Sequence, residues 1–337
     1  MQIVVTGGLG FIGSHTVVEL QNVGYEVIVI DNLSNSSIDV LDGIERITGK
    51  QPIFEKIDLR EKAAVQAFFA KYTEVTGVIH FAASKAVGES VKNPFLYYEN
   101  NIASLVYLLQ ELQKKPEAHF IFSSSCTVYG QAEVMPIAET TPIQAAMSPY
   151  GNTKQIGEEI IADVTKVSGL NAILLRYFNP IGAHPSTEIG ELPIGVPQNL
   201  VPFITQTGMG LRKELSVYGN DYPTVDGTCV RDYIHVVDLA KAHVVALQRL
   251  LDKKNETALE VFNLGTGKGS SVLEVITAFE KVSGQKLPYT IVPRREGDVT
   301  EAYANTEKAN SILGWKTLAT LEEAIDSAWK WEQKVRR

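Results

Sequence analysis

The sequence predicts an α/β protein in which a doubly wound parallel sheet is followed by a smaller mixed α/β lobe. Three observations support this fold class. Short apolar runs alternate with helical patterns through the first half of the 337 residues. The runs are apolar at successive positions, as strands covered on both faces of a sheet require. After Asn179 a segment rich in proline and glycine replaces the alternation, which indicates a separate, loop-rich lobe that closes over a ligand.

The expected elements follow the chain in order. The apolar runs predict strands at Gln2–Thr6, Glu26–Asp31, Pro52–Lys56, Gly77–Phe81, His119–Ser124 and Asn171–Tyr177. The intervening patterns predict helices at Ile12–Val23, Glu61–Tyr72, Pro94–Lys114 and Pro149–Ser168. Further regular structure is expected at Asp232–Gln248, Val261–Leu264, Ser271–Val282 and Leu321–Lys334. We expect a first domain over residues 1–179, with return segments near 232–264, and a second lobe over 180–337.

The composition excludes several classes of function. The formal net charge is −8 and no basic run occurs, which argues against a nucleic-acid surface. No apolar stretch reaches membrane-spanning length, and a glycine motif close to Met1 leaves no room for a signal peptide. Cys126 and Cys229 have no metal-type spacing. We therefore expect a cytoplasmic protein with no metal, membrane or nucleic-acid partner.

A glycine motif directly after the first strand indicates a dinucleotide-binding site. In Thr6–Gly13, Gly7 allows a positive-φ turn, Gly10 lets the backbone approach a pyrophosphate, and Gly13 allows close packing of helix and strand. The next predicted strand ends in Asp31, at about the spacing where an acidic residue accepts from a ribose hydroxyl. The alternative is a plain glycine turn in another α/β protein. Together these residues predict a Rossmann sheet.

Asp31 also distinguishes between the two nicotinamide cofactors. Its carboxylate would repel a 2′-phosphate, and the residues that follow it, Asn32 to Asn35, supply no arginine to neutralise one. The sequence therefore predicts NAD rather than NADP as the cofactor.

A second motif places a tyrosine and a lysine on one helix face. Ser148 is suited to the N-cap and Pro149 to the first turn, so Tyr150 and Lys154 lie four residues apart on the same side. A lysine cation, and a cationic nicotinamide, favour the phenolate and would make tyrosine usable as a base near neutral pH. An isolated Tyr-x-x-x-Lys is more often an ordinary surface pair, but here it follows a dinucleotide motif.

The serine run Ser123–Ser125 ends the fifth predicted strand. Ligands of open α/β sheets bind beyond the carboxyl ends of the strands, so these hydroxyls are within reach of a reacting oxygen. At least one of the three is expected only to cap the turn.

The chain resembles the extended short-chain dehydrogenase/reductase family, and within it the UDP-glucose 4-epimerases. The likeness covers nearly the whole chain. It rests on the segments Thr6–Gly13, His80–Ser90, Ser123–Gly130, Ser148–Lys154, Arg176–Pro180, Arg231–Val236 and Pro293–Asp298.

The resemblance implies NAD-dependent 4-epimerisation of a UDP-sugar. Tyr150 takes the proton of the sugar 4-hydroxyl while NAD accepts the hydride, and the 4-keto sugar turns over before it is reduced again. Lys154 holds the nicotinamide ribose and lowers the pKa of Tyr150, and Ser125 hydrogen-bonds the O4 region. The residues implied at the cofactor are Gly7, Gly10, Phe11, Ile12, Gly13, Asp31, Asn32, Asn35, Ser36, Asp58, Leu59, Phe81, Ala82, Ala83, Lys85, Asn100, Ser123, Tyr150, Lys154 and Tyr177. For Asn100, helix capping is the alternative.

For the substrate, the resemblance implies that Arg231 and Arg295 hold the diphosphate through bidentate donors. The residue types alone indicate only an anion site in the second lobe. The other residues implied at the UDP-sugar are Lys85, Ser125, Tyr150, Phe178, Asn179, Asn199, Leu200, Ser216, Tyr218, Tyr233, Asp298 and Ala302.

Ala302 departs from the epimerases restricted to glucose and galactose, which resemble one another in a bulky tyrosine near the sugar C2. A small residue leaves room for an acetamido group, so we expect activity on N-acetylated UDP-sugars too. The adjacent Tyr303 would reverse this expectation if the register were shifted by one residue.

Three other functions remain as alternatives. Nucleotide-sugar 4,6-dehydratases place an acidic pair after the strand-end residue, where this chain has Cys126 and Thr127. A UDP-glucuronate decarboxylase is less favoured because the Arg231 and Arg295 segments follow the epimerase pattern so closely. Non-enzymatic NAD sensors lose the tyrosine or the lysine. The resemblance also implies a homodimer formed by the two long helices Pro94–Lys114 and Pro149–Ser168.

Overall fold

The computed structural model describes residues 1–115, 117–295 and 298–336. Glu296 and Gly297 of the Pro293–Asp298 segment lie outside the described residues. The strands are β1 (Gln2–Thr6), β2 (Glu26–Asp31), β3 (Ile53–Lys56), β4 (Val75–His80), β5 (His119–Ser125), β6 (Asn171–Tyr177), β7 (Asn179–Ile181), β8 (Leu215–Tyr218), β9 (Val230–Arg231), β10 (Tyr233–His235), β11 (Leu259–Leu264), β12 (Ser270–Ser271), β13 (Tyr289–Val292) and β14 (Glu301–Ala302).

The α-helices follow most of the predicted helical patterns. They are α1 (Phe11–Asn22), α2 (Val40–Thr48), α3 (Lys62–Lys71), α4 (Val87–Lys92), α5 (Pro94–Tyr98), α6 (Ser104–Leu112), α7 (Pro149–Val167), α8 (Leu200–Gly208), α9 (Val236–Leu251), α10 (Val272–Ser283) and α11 (Leu321–Val335). The predicted helix Pro94–Lys114 consists of α5, a π-helical turn at Glu99–Ala103, and α6. No helix among the described residues is long and apolar enough to cross a membrane.

The central sheet confirms the predicted fold class. Seven parallel strands pair in the order β11-β6-β5-β4-β1-β2-β3, so the chain winds outward from β1 in both directions. Alternate residues of β1 enter opposite cores: Ile3 and Val5 pack with α1 and α9, whereas Val4 packs with α3, α6 and α7. Because both faces are covered, the strands are apolar at successive positions.

The chain leaves this sheet after β6 and later returns to it. Helix α9 packs against α1, and β11 pairs with β6. A separate apolar core joins α8, α10 and α11 around Ile204, Phe279 and Trp329. Three short sheets, β10-β7, β12-β9-β14 and β13-β8, connect this smaller lobe to the rest of the structure. The predicted loop Pro180–Pro202 is largely irregular, although it begins within β7 and ends within α8.

Candidate functional site

The glycine loop forms the tight turn that its spacing predicts. Gly7 has a φ of +66°, and a β-carbon on Gly13 would lie only 2.2 Å from the Gly7 carbonyl oxygen. Gly10 is the N-cap of α1, so the N–H groups of Phe11, Ile12 and Gly13 have no acceptor within the helix. The turn therefore offers unpaired donors and the positive end of a helix dipole to an anion.

Asp31 holds this turn from the end of β2. Its carboxylate is buried and accepts hydrogen bonds from the Leu9 nitrogen at 3.1 Å, the Leu33 nitrogen at 2.9 Å and the Ser36 hydroxyl at 2.8 Å. Leu33 adopts a left-handed φ of +62°, a strained conformation for a branched residue. The loop after β2 is thus wound around the carboxylate.

The residues predicted at the adenosine end lie beside this loop. Asn32 donates to Asp58 at 3.4 Å, Leu59 is buried, and Asn35 is exposed. Sequence reasoning missed Arg60, whose guanidinium lies 2.6 Å from the Asp58 carboxylate. The hydrogen bond from Arg60 lowers the pKa of Asp58 to about 2. An arginine therefore does reach this region, but it is paired with a carboxylate.

The loop after β4 lies directly against the glycine turn. The Ala82 nitrogen donates to the Thr6 hydroxyl at 3.3 Å, and it would lie 2.8 Å from a β-carbon on Gly7. The loops after β1 and β4 are thus in contact at the switch point of the sheet, the usual ligand crevice of such folds. This second loop contains the predicted residues Phe81, Ala82, Ala83 and Lys85.

Asn100 lies in the π-helical turn and does not cap a helix. Its amide donates to the Ser84 hydroxyl at 3.2 Å. The neighbouring Asn101, which sequence reasoning missed, is buried, bonds the Ser84 backbone at 2.8 and 3.0 Å, and donates to Thr153 at 3.0 Å. Asn101 therefore fixes the loop after β4 to α7, the helix of Tyr150 and Lys154.

Ser125, Tyr150 and Lys154, which we call the catalytic edge, meet at the carboxyl end of β5. They are 7%, 8% and 5% exposed. Ser148 caps α7 as predicted, because its hydroxyl accepts from the Gly151 nitrogen at 3.1 Å. The Lys154 ammonium donates to the Ser123 carbonyl at 2.6 Å. The helix thus presents the phenol and the ammonium to the end of the strand.

Burial dominates the electrostatics of the catalytic edge. Burial raises the pKa of Tyr150 well above its usual range; Tyr177 adds to the rise and Ser125 acts against it. Burial lowers the pKa of Lys154 to about 8, against the opposing effect of Glu158. The Lys154 ammonium therefore does not by itself produce the low tyrosine pKa that the resemblance implies.

The three strand-end serines have different partners. Ser123 shares a 2.6 Å hydrogen bond with the Tyr177 hydroxyl, and Ser124 donates to Glu158 at 2.5 Å. Ser125 accepts a capping bond from the Thr127 nitrogen at 3.2 Å, and its hydroxyl hydrogen-bonds Tyr150, which acts against the rise in the Tyr150 pKa. Ser124 is thus a structural residue, and Ser125 is the serine that is paired with Tyr150.

Glu158 belongs to a buried polar network that sequence reasoning missed. The Arg176 guanidinium holds this carboxylate through two nitrogens, at 2.9 and 2.5 Å, and donates to the Tyr129 hydroxyl at 3.0 Å. Burial lowers the pKa of Arg176, but the hydrogen bond and charge of Glu158 outweigh it and raise that pKa. The network joins β5, β6 and α7 directly beneath the catalytic edge.

On the other side of the site, Arg231, Arg295 and Asp298 form a group that we call the diphosphate side. Arg295 contacts Asp298 through two nitrogens, at 2.8 and 3.2 Å, and Arg231 lies 3.8 Å from the same carboxylate. The Arg295 guanidinium lies 5.3 Å from the centre of the Tyr218 ring. Ser216 and Tyr218 lie on β8, which pairs with β13 just before Arg294 and Arg295.

A carboxylate that the sequence did not single out joins two predicted substrate residues. Glu191 accepts from the Asn199 amide at 2.7 Å and lies 3.6 Å from the Lys85 ammonium. Its backbone carbonyl accepts from the Trp331 indole at 2.8 Å. Lys85, from the loop after β4, and Asn199, the N-cap of α8, therefore meet at one carboxylate. Leu200 begins α8, and Tyr233 is buried in the apolar core of the smaller lobe.

The side chains of Ala302 and Tyr303 have different neighbours. The Ala302 side chain packs with Cys126 against an apolar cluster that contains Phe178. The Tyr303 ring lies on the opposite side, 3.2 Å from where a β-carbon on Gly269 would be. β14 pairs with β9, which brings Ala302 opposite Arg231, and Asn179 bonds the Asp232 carbonyl at 2.9 Å.

Comparisons with known proteins agree with the fold described above. Residues 4–328 match a family model described as GDP-mannose 4,6 dehydratase. A UDP-glucose 4-epimerase of Bacillus subtilis (strain 168) is 51% identical over 333 residues, which are 98% of this chain and 97% of the relative.

Two solved structures resemble the whole chain. One is a UDP-glucose 4-epimerase from Stenotrophomonas maltophila with bound NAD and formylated UDP-arabinopyranose. It has a TM-score of 0.96 and 46% identity, covering 100% of this chain and 99% of the other. The other is a UDP-glucose 4-epimerase from Bifidobacterium longum in complex with NAD⁺ and UDP. It has a TM-score of 0.94 and 47% identity, covering 99% of this chain and 98% of the other.

Proposed function

Because the chain belongs to the UDP-glucose 4-epimerase family of extended short-chain dehydrogenases/reductases, we propose that it interconverts UDP-galactose and UDP-glucose through a 4-keto sugar, with NAD as cofactor. The observation that supports this function most strongly is the convergence of Ser125, Tyr150 and Lys154 at the sheet edge beside the glycine turn. We keep residue 179 as the proposed boundary between the two lobes.

The residues of the chain fit NAD. The glycine turn has no room for a β-carbon at Gly13, and Asp31 at the end of β2 favours a ribose hydroxyl over a 2′-phosphate. Arg60 is held by Asp58, which further supports NAD over NADP. Bound there, NAD would supply reversible hydride acceptance next to the sugar C4. We propose the full set of cofactor residues implied by the resemblance as its binding site.

Tyr150 is the proposed proton acceptor for the sugar 4-hydroxyl. Since burial raises the pKa of its phenol, the phenolate needs positive charge nearby, and Lys154 supplies one on the same helix face. The carbonyl of Ser123 fixes the position of that ammonium. Ser125 hydrogen-bonds the sugar O4, or relays the proton by passing its own to Tyr150 as it takes that of the sugar 4-hydroxyl.

The diphosphate side is the proposed nucleotide site. The guanidinium groups of Arg231 and Arg295 both approach one carboxylate, and paired guanidinium donors bind phosphate in a similar way. Ser216 and Tyr218 would frame the uracil, and Asp298 would accept from a ribose hydroxyl. The sugar–phosphate contacts are proposed for Lys85, Phe178, Asn179, Asn199, Leu200 and Tyr233.

We propose further that the enzyme also epimerises UDP-N-acetylgalactosamine and UDP-N-acetylglucosamine. The small Ala302 side chain, which faces Cys126 and Phe178, supports this wider specificity. The large Tyr303 ring lies away from this cluster, beside Gly269.

The alternative functions are less well supported. Cys126 and Thr127 begin a 3₁₀ turn directly after Ser125, so a 4,6-dehydratase would lack its acid and base there. A UDP-glucuronate decarboxylase is less favoured because the segments of Arg231 and Arg295 follow the epimerase pattern so closely. A sensor without activity would not need both Tyr150 and Lys154.

The proposal includes a homodimer formed through α5, α6 and α7. Helices α4 and α5 pack against α7, and they leave Val91 61% and Phe95 76% exposed. Large exposed apolar side chains on these helices are consistent with a protein contact there. Both cysteines are free thiols, which supports the predicted cytoplasmic location. A monomer in sedimentation at micromolar concentration would contradict the dimer.

The deciding experiment is proton NMR of the purified protein with UDP-galactose and UDP-N-acetylgalactosamine, with no cofactor added. Conversion of both anomeric signals to the gluco forms is expected if the chain epimerises both and retains NAD. Conversion of UDP-galactose alone would support the epimerase and contradict the role of Ala302. If neither signal changes, even with added NAD, the epimerase function is wrong.

A further inference from the structure

The two arginines of the diphosphate side share a carboxylate that belongs to the chain itself. Arg295 directs two nitrogens at Asp298, at 2.8 and 3.2 Å. The Arg231 guanidinium is 3.8 Å from the same carboxylate oxygen that accepts the shorter bond. The Asp298 side chain is 13% exposed, and that of Arg231 is 18% exposed. The carboxylate therefore lies between the two cations, largely out of solvent.

This arrangement uses the same donors that a diphosphate would need. A guanidinium presents its paired N–H groups to a carboxylate or a phosphate in nearly the same geometry. Another donor of Arg231 is also engaged, because Nη1 donates to the Val230 carbonyl at 2.8 Å. A nucleotide must therefore displace Asp298 from Arg295 before the arginine can hold a phosphate with both nitrogens.

We propose that Asp298 is an internal counter-anion of the diphosphate side: it competes with the substrate diphosphate for Arg295 and weakens nucleotide binding. The inference rests on the proposed function and adds a second role to a residue otherwise assigned to the ribose. A diphosphate carries more charge than a carboxylate, so it displaces Asp298. Once displaced, the carboxylate is free to accept from the ribose. Before binding, Asp298 competes for Arg295 and lowers the affinity for UDP. After binding, its contact with the ribose raises that affinity.

Inorganic pyrophosphate separates these two effects because it has no ribose. In Asp298→Asn the amide keeps the shape of the side chain but removes the competing charge. We expect the variant to bind pyrophosphate about fivefold more tightly than the wild type at low salt. The gain should shrink at high salt, since it is electrostatic. UDP should gain less than pyrophosphate, because the weaker ribose contact offsets part of the effect.

The neighbouring Arg294 supplies a matched control. It donates to Asp221 at 2.7 Å and lies 3.9 Å from the centre of the Tyr222 ring, so it repeats the Arg–Asp–Tyr arrangement one residue away. Among the described residues, Asp221 forms its side-chain ion pair with Arg294 and none with Arg231 or Arg295. Asp221→Asn removes the same charge from the same lobe and should leave pyrophosphate affinity within about twofold of the wild type.

The measurement is isothermal titration calorimetry of the full chain, purified with its cofactor, using pyrophosphate and UDP. A fivefold gain for pyrophosphate in Asp298→Asn alone supports the inference. No gain in Asp298→Asn, or the same gain in Asp221→Asn, overturns it while leaving the proposed function intact if the wild type binds UDP. A wild type that binds no UDP overturns the proposed function, and the inference with it.

Discussion

Lys154 of the catalytic edge and Arg295 of the diphosphate side are positive charges that are stabilised in different ways. Ser125, Tyr150 and Lys154 are nearly buried, and burial shifts the pKa values of both the tyrosine and the lysine. Arg295 has 59% of its side chain exposed, and a carboxylate of the chain neutralises it. A buried group can be held in one position, but it must bear the cost of desolvation. An exposed cation has a small desolvation cost. It can bind an anionic ligand by releasing the carboxylate with which it was paired.

The largest expected effect is a loss of turnover on substitution of Tyr150, which should leave UDP binding by the diphosphate side unchanged. Tyr150→Phe removes the proposed proton acceptor and should lower kcat by about 10³-fold, while the dissociation constant for UDP stays within about twofold. Steady-state kinetics and calorimetry would measure both. The neighbouring Tyr97→Phe is the control, because that hydroxyl bonds Ala86 and Glu89 instead. Near-normal turnover in Tyr150→Phe would remove the proposed base.

The cost of burying Lys154 should appear as a dependence of stability on pH. The unfolded chain binds a proton at this residue up to pH of about 10.5, whereas the folded chain loses it near pH 8. Between these values the unfolded state holds more protons, so stability rises with pH. The penalty on the wild type is therefore full below pH 8 and is relieved above it.

The stability of Lys154→Met relative to the wild type should accordingly fall by about 3 kcal/mol between pH 7 and pH 10.5, because only the wild type is relieved of the penalty. Urea unfolding at a series of pH values measures the difference. Lys166→Met is the control, since Lys166 has 70% of its side chain exposed. A difference that does not vary with pH would show that Lys154 is not a buried cation.

On the diphosphate side the expected effect is on binding rather than on turnover. Arg231→Ala removes a charged donor and should raise the KM for UDP-galactose about 10- to 100-fold, with kcat within about threefold. Arg294→Ala, which removes an arginine paired with Asp221, should change KM little. A fall in kcat as large as the rise in KM would mean that Arg231 also positions the sugar for the reaction.

The sequence predicted the catalytic edge better than the diphosphate side for a physical reason. Tyr150 and Lys154 are four residues apart on one helix, and Ser125 ends a strand, so local periodicity determines where they point. The parallel, doubly wound sheet followed from the alternation of apolar runs and helices. These features depend on short-range spacing, which a single sequence displays.

Contacts between distant segments could not be predicted in this way. Glu191 meets Lys85 and Asn199 only after the loop after β4 and the smaller lobe have packed together. The pairing of Asp298 with Arg231 likewise joins segments far apart in the chain. The π-helical turn at Glu99–Ala103 interrupts a continuous helical pattern. In each case tertiary packing decides the outcome.

Substitution of Ala302 should have the smallest effect on UDP-galactose of the changes considered. It should have the largest effect on the choice between UDP-galactose and UDP-N-acetylgalactosamine. This side chain packs with Cys126 beside Ser125, so a tyrosine there would occupy the space proposed for the acetamido group. Ala302→Tyr should lower kcat/KM for UDP-N-acetylgalactosamine by about 100-fold, and for UDP-galactose by less than about fivefold.

The ratio of the two kcat/KM values is the relevant measurement, because a general loss of stability would affect both substrates alike. Tyr303→Ala is the matched control, since its ring faces Gly269 on the opposite side and its removal should leave the ratio unchanged. Equal losses on both sugars in Ala302→Tyr, or a changed ratio in Tyr303→Ala, would show that another residue limits the pocket. A selective loss would locate the choice of sugar at the catalytic edge, separately from the binding of the nucleotide by the diphosphate side.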